Sequence, residues 1–147
     1  ATSYRMNPSS TNVGGWDASE MRKNTLATTI YGYLDTSIKS ALRTVDKLAS
    51  IENASSTILT STDKLFLFSE IEIFGGITYS RAGEGEQYPY WKAGNSKMKY
   101  KNGSIFWWWE RSPRAGISSC FAGVGVEGSA GSYAASDSGG VSFGFCV

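Results

Sequence analysis

The chain has 147 residues, 41% hydrophobic and 18% charged, with 14 basic and 13 acidic side chains and a formal charge of +1. That is enough chain for one core, too apolar to be disordered, and lacking the basic surplus a dedicated nucleic-acid binder spends on phosphates. With no histidine, the Ser-His-Asp and Cys-His nucleophile systems, histidine-ligated metals and histidine bases are excluded. Two cysteines, Cys120 and Cys146, are too few for a Cys-only zinc site.

Residues 1–5 carry no cationic start followed by an apolar signal core, so the expectation is a mature chain, a fragment, or one not exported by that route. Residues 1–15 are polar and turn-rich and are expected to be irregular. Asp17 followed by Glu20 marks a helix start, and Met21, Leu26, Ile30, Tyr33 and Leu34 form one apolar stripe, predicting a helix over 18–33. Beyond Asp35, the period of Ile38, Ala41, Leu42 and Val45 predicts a second amphipathic helix over 36–44. Val45, Lys47, Ala49 and Ile51 alternate as a strand would, although residues 45–49 would also continue the helix. The aromatic run from Asp63 to Glu70 suits a short buried strand. Residues 79–103 interleave turn residues with Tyr79, Tyr88, Tyr90, Trp91 and Tyr100, as in a loop that is functional or pinned by its aromatics.

Ser104 to Trp109 is apolar on both faces and predicts a central strand covered on both sides. Its longest apolar run, Ile105 to Trp109, is far short of the roughly 20 residues of a membrane helix. Phe121, Val124 and Val126 mark another short strand. Strict alternation of Val141, Phe143, Phe145 and Val147 predicts a half-buried terminal strand. Helices first and strands after, without βαβ alternation, predict an α+β domain around an antiparallel sheet, one domain over 1–147.

Composition divides the chain. All eight lysines precede residue 102 and all five tryptophans precede residue 110, whereas Ser112 to Val147 hold eight Gly, eight Ser and only three charges, Arg114, Glu127 and Asp137. The stretch 112–140 reads as a flexible linker or, because apolar strands bracket it, as surface turns displayed on a sheet. Glu110 and Arg111 are expected to form a structural ion pair at a strand end. Glu70 and Glu72, two apart on a candidate strand, share a face and could serve as an acid–base pair in a carboxylate-dependent hydrolase. No calcium-loop spacing occurs, so neither metal nor cofactor is expected.

Three segments carry a family resemblance. Gly14-Gly15-Trp16-Asp17-Ala18-Ser19-Glu20-Met21-Arg22 resembles an opening GGW-x-x-S-x-M-R signature. Asp63 to Gly75 resembles a middle DKLFLxSExExFG signature. Trp108-Trp109-Glu110-Arg111-Ser112-Pro113, then Phe121, then Gly140 to Cys146, resembles a closing WWxRSP…F…GVxPGFC signature. The family is an uncharacterised bacterial and prophage domain with a C-type-lectin-like (formylglycine-generating-enzyme-like) fold, whose members include variable proteins of diversity-generating retroelements. One departure is Ser142-Phe143, where proline is frequent.

In such proteins mutagenic reverse transcription at adenines rewrites a C-terminal segment. The resemblance implies that about 112–140 is a variable display region and places diversified, ligand-binding positions at Arg114, Gly116, Ile117, Ser119, Cys120, Gly123, Gly125, Val126, Ser129, Gly131, Ser132, Tyr133 and Asp137. Trp107, Trp108, Trp109, Arg111, Phe121, Phe143 and Phe145 would form the frame. A diversified Cys120 argues against a Cys120–Cys146 disulfide, and Cys146 is expected to pack as a small hydrophobe. The implied function is a non-enzymatic ligand- or receptor-binding domain on a phage tail or bacterial cell surface. Its partner would be a macromolecule (protein or glycan), with no nucleic acid and no inserted membrane, and an oligomer would raise avidity. The alternatives are a structural module of a tail or appendage and the hydrolase built on Glu70 or Glu72.

Overall fold

A computed structural model describes residues 2–147. It is a small α+β domain with few helices and four small antiparallel sheets. The N-terminal segment is not free: Tyr4 and Gly139 exchange backbone hydrogen bonds at 2.9 Å, and the Met6 amide donates to the Ala135 carbonyl.

The helix expected over 18–33 is divided. Helix α1 (Gly15–Ala18) ends at Ser19, whose ψ of 144° is extended. The coil then resumes as a π-helical segment, Met21–Ile30, and closes with α2 (Tyr31–Tyr33). Bonding of the i→i+5 kind stacks residues five apart, and the buried Met21 and Leu26 and the core-packed Tyr31 stand at that spacing. Helix α3 (Thr36–Ala41) is shorter than expected; Asp35 caps it by accepting from the Ser37 amide.

Residues 45–50 are a strand. β1 (Val45–Ser50) pairs antiparallel with β2 (Ile58–Asp63). The strand expected within 63–70 shrinks to β3 (Phe66–Leu67), because helix α4 (Glu70–Phe74) starts at a complete capping box of Ser69 and Glu72. Glu70 and Glu72 are therefore helical rather than alternate residues of a strand. Within the long aromatic stretch lie α5 (Pro89–Lys92) and a hairpin of β4 (Lys99–Lys101) and β5 (Ser104–Phe106). Its two-residue turn, Asn102 and Gly103, has φ of 52° and 82°, the left-handed geometry an Asn-Gly hairpin provides.

The strand expected over 104–109 is broken at Trp107. The part covered on both sides is β6 (Trp108–Pro113), every residue of which is buried. β6 pairs with β7 (Cys120–Val124), and β7 with β8 (Ala130–Ala134). This sheet is a wall between two apolar clusters. Trp109 and Phe121 face the larger one, with Met6, Trp16, Met21, Leu26 and Leu67. Trp108 and Val124 face the smaller one, with Ile73 and Trp91. Val126 lies beyond β7 and is exposed. The terminal strand reduces to β9 (Phe143–Gly144), paired with β3. Past it Phe145, Cys146 and Val147 are exposed, so Phe145 is not part of the frame and Cys146 does not pack as a core hydrophobe.

Candidate functional site

The candidate site is the outer part of the β6–β7–β8 sheet and its turns, and its geometry starts from two buried anchors beneath it. The first is Arg111. All five guanidinium N–H groups find acceptors: Nε donates to the Leu48 carbonyl at 2.9 Å, Nη1 to the Leu67 carbonyl and Glu72 Oε2, and Nη2 to Glu72 Oε1 and the Glu84 carbonyl. Lys47 Nζ adds a second cation 3.1 Å from Glu72. Burial alone would raise the Glu72 carboxyl, but the Arg111 hydrogen bonds and charge, with Lys47, outweigh it and hold the pKa below its ordinary value.

Arg111 therefore pairs with Glu72 and not with its neighbour Glu110, as the sequence suggested. The reason is the pleat: adjacent residues on a strand point to opposite faces. Glu110 is fully buried and its two carboxylate oxygens have no hydrogen-bond partner among the described residues. Burial, then the nearby Glu70 and Glu84 charges, push its pKa well above the ordinary value against the pull of Arg111. Glu84, which accepts from Ser50 and Ser112, is also raised, chiefly by burial. Glu70 is spent on the loop that follows, accepting from the Thr78, Tyr79 and Ser80 amides and the Ser80 hydroxyl.

The second anchor is Asn12, fully buried although its surroundings are turn-rich. Its Nδ2 donates to the carbonyls of Arg114, Ile117 and Cys120 at 2.7–3.2 Å, its amide to Ser118, and its Oδ1 accepts from the Asn53 amide. One side chain thus ties down the whole β6–β7 connection from within. Sequence reasoning did not single out Asn12, because a lone Asn in a turn-rich stretch carries no local sign of a partner a hundred residues away.

Above these anchors twelve of the thirteen display positions separate into three groups. Gly116, Ile117, Val126, Ser129 and Asp137 are exposed, on the three connections that follow β6, β7 and β8. Ser119, Cys120, Gly125 and Gly131 are half-buried. Arg114, Ser132 and Tyr133 are half-buried and engaged: Arg114 Nη1 donates to Ser132 Oγ at 2.6 Å, and the Tyr133 ring stacks on Trp107 with centroids 3.8 Å apart. These three belong to the frame rather than to the displayed set. Burial chiefly raises the Tyr133 phenol.

Gly123 leaves the set for a harder reason. It is buried, and a Cβ there would lie 2.8 Å from the Trp108 carbonyl oxygen and 3.0 Å from the Tyr133 ring. Conversely Ser118, Glu127, Ser136 and Ser138, not singled out from sequence, are exposed on the same turns. Of the expected frame, Trp108, Trp109, Arg111 and Phe121 are buried, while Trp107 and Phe143 are half-buried. Both cysteines are free thiols. Among the described residues no helix is long and apolar enough to cross a membrane, and no group of acidic or cysteine side chains converges to hold a metal ion.

The three signature segments meet in space. Trp16 Nε1 donates to Asp63 Oδ2 at 2.9 Å and Arg22 Nε to Asp63 Oδ1 at 2.7 Å, joining the opening and middle segments, while Arg111 and Glu72 join the middle and closing ones. What these contacts define is a small α+β domain with a polar-pinned core beneath a sheet whose later strands, β7 and β8, are rich in small residues. Residues 2–147 match the domain of unknown function DUF6273, and the chain belongs to that family. No curated protein and no solved structure matches it.

Proposed function

We propose that this domain is a non-enzymatic display module of C-type-lectin-like architecture, whose C-terminal turns bind a protein or glycan on a cell surface, carried by a phage tail or a bacterial surface protein. The observation that carries the reading is the contrast between base and rim. β6 and most of β7 are buried and pinned by Arg111 and Asn12, β8 is half-buried, and the rim residues 116–118, 126–127, 129 and 136–138 are exposed and mostly short. Side chains at such a rim can change without moving the core, the arrangement of an adaptable paratope on a fixed frame. The helical segments of residues 15–41 and the long aromatic connection before β6 support the proposed architecture.

The hydrolase alternative built on Glu70 or Glu72 loses support from the same geometry. Both carboxylates are buried, and their oxygens accept from Arg111, Lys47, Ser69 or the 78–80 loop. Acid–base work needs a carboxylate that reaches substrate. The structural-module alternative differs from ours in needing no variation at the rim.

The test is to sequence the segment encoding residues 108–147 with its genomic neighbourhood. Adenine-confined differences from a near-identical repeat beside a reverse transcriptase, falling on rim positions such as 117, 126, 129 and 137, are the expected result. A segment without such a repeat, together with unaltered binding after rim positions are replaced by aspartate, overturns the reading.

A further inference from the structure

The near-neutral charge of the whole chain conceals a local excess. Between residues 88 and 109 stand Lys92, Lys97, Lys99 and Lys101 with no acidic residue, a formal +4 against +1 for the whole chain. None of the four forms an ion pair among the described residues. Three lie along aromatic rings: Lys97 Nζ is 5.4 Å from the Phe74 centroid, Lys99 5.9 Å from Trp108, and Lys101 4.7 Å from Phe106. A lysine so placed covers apolar surface with its stem and keeps the ammonium group available.

Beside this row are two neighbouring hollows that share Lys99 and Ser142. One, of about 190 Å³, is walled by Tyr100, Phe106 and Trp107, and the other, of about 380 Å³, by Tyr90, Trp91 and Phe145. Tyr90, Tyr100 and Phe145 are 57%, 66% and 47% exposed, large aromatic surface left open to solvent. Lys99 and Lys101 alternate on β4, so they stand on one face about 6.6 Å apart.

We propose that this face binds an acidic polysaccharide, a linear chain of uronic-acid rings crossing Lys99 so that successive sugars enter the two hollows. Each half of the chemistry has its counterpart. The C–H faces of the sugar rings pack on Tyr90 and Phe145, and the carboxylates meet the unpaired ammonium groups. A single-stranded nucleic acid matches the local charge and would find the same open rings for its bases, but its phosphate backbone needs a longer basic track than four lysines in a chain of net charge +1 provide. No lining residue of the hollows belongs to the rim 114–137, so this site stands apart from the display reading and survives its failure.

The probe is an oligogalacturonate titrated against the full chain, read by calorimetry and by tryptophan fluorescence, since Trp91, Trp107 and Trp108 line the hollows. Affinity is expected to fall at least about tenfold as ionic strength rises from about 0.01 to about 0.15 M, where the screening length shortens from roughly 30 to 8 Å. The double variant Lys99→Gln/Lys101→Gln should weaken binding by about tenfold or more, whereas Lys99→Arg/Lys101→Arg keeps it within about threefold, because charge and stem survive. Tyr90→Ala, at an exposed ring that lines the larger hollow with Lys99, is the variant that reads the site if the glutamine pair melts early; it should weaken binding about fivefold by removing stacking surface. Equal affinity for a neutral dextran, binding unchanged in the folded Gln variant or in Tyr90→Ala, no binding at low salt, or preference for an oligothymidylate or for anionic vesicles would each overturn the proposal. So would loss of oligogalacturonate binding on replacing Ile117 and Val126, which would move the ligand to the rim.

Discussion

Arg111 grips Glu72 through two parallel hydrogen bonds, Nη1 to Oε2 at 2.5 Å and Nη2 to Oε1 at 3.0 Å, with both side chains buried. The pair joins the all-buried strand β6 to the first turn of α4, and the remaining donors of Arg111 bind carbonyls of β1, β3 and the loop at Glu84. One guanidinium therefore ties its own strand to four other parts of the chain.

Arg111→Lys removes the planar fork that makes this possible, since an ammonium group offers three donors from one point. We expect a loss of roughly 3–5 kcal/mol in urea unfolding, the cost of leaving Glu72 with Lys47 and the Ser69 amide but without its bidentate partner, and several buried carbonyls without donors. A variant as stable as the parent would show that the pair contributes nothing net.

Glu110 has the opposite character, a buried carboxyl without a partner among the described residues. Its folded pKa lies above the unfolded value of about 4.5, so between the two the folded state holds a proton the unfolded state has released. Stability from this group is complete below pH 4.5 and declines as pH rises toward the folded pKa. Glu84 acts in the same direction, and Glu72, lowered, acts in the other, being lost as pH falls through its folded value. Chemical denaturation from pH 4 to pH 9 should show a shallower decline for Glu110→Gln, and Glu110→Met should be more stable than the parent at pH 7 by about 1–3 kcal/mol. A parallel curve for Glu110→Gln would rule out the raised pKa.

Asn12 is expected to govern the rim without touching ligand. Asn12→Ala leaves the carbonyls of Arg114, Ile117 and Cys120 without their side-chain donor and should cost about 1–3 kcal/mol. Hydrogen exchange gives the sharper reading. The amides of Arg114, Ala115 and Gly116, now bonded to Cys120, Tyr79 and Asn53, should exchange at least tenfold faster, while those of β6 remain protected.

The rim and the base should respond differently to side-chain size. Ile117→Tyr, Val126→Tyr and Ser129→Tyr, at exposed positions, are expected to change stability by less than about 0.5 kcal/mol. Gly123→Ala, facing the Trp108 carbonyl and the Tyr133 ring, should cost about 1–3 kcal/mol. Thermal melts of the four variants decide whether display and frame divide where the burial divides.

The amino-acid order by itself determined the features that rest on local pattern. The helical first third, the aromatic run at 104–109, the small-residue half of the chain and the Phe121–Val124 strand follow from period and composition and have counterparts in the α+β domain, whereas the expected order of helices before strands fails beyond α3, since α4 and α5 follow β1–β3. The S-x-x-E of Ser69 and Glu72 was equally local, and it is the signal by which α4 could have been distinguished from a strand. Tertiary structure alone decided the partners. Arg111 meets Glu72 from 39 residues away, Asn12 reaches Cys120 across 108, and Tyr133 turns onto Trp107 although it stands in a stretch of Ser and Gly. The reason is physical: a hydrogen-bond donor or a ring face has no periodicity along the chain, so its partner is set only when folding brings buried groups together and each must find a complement there.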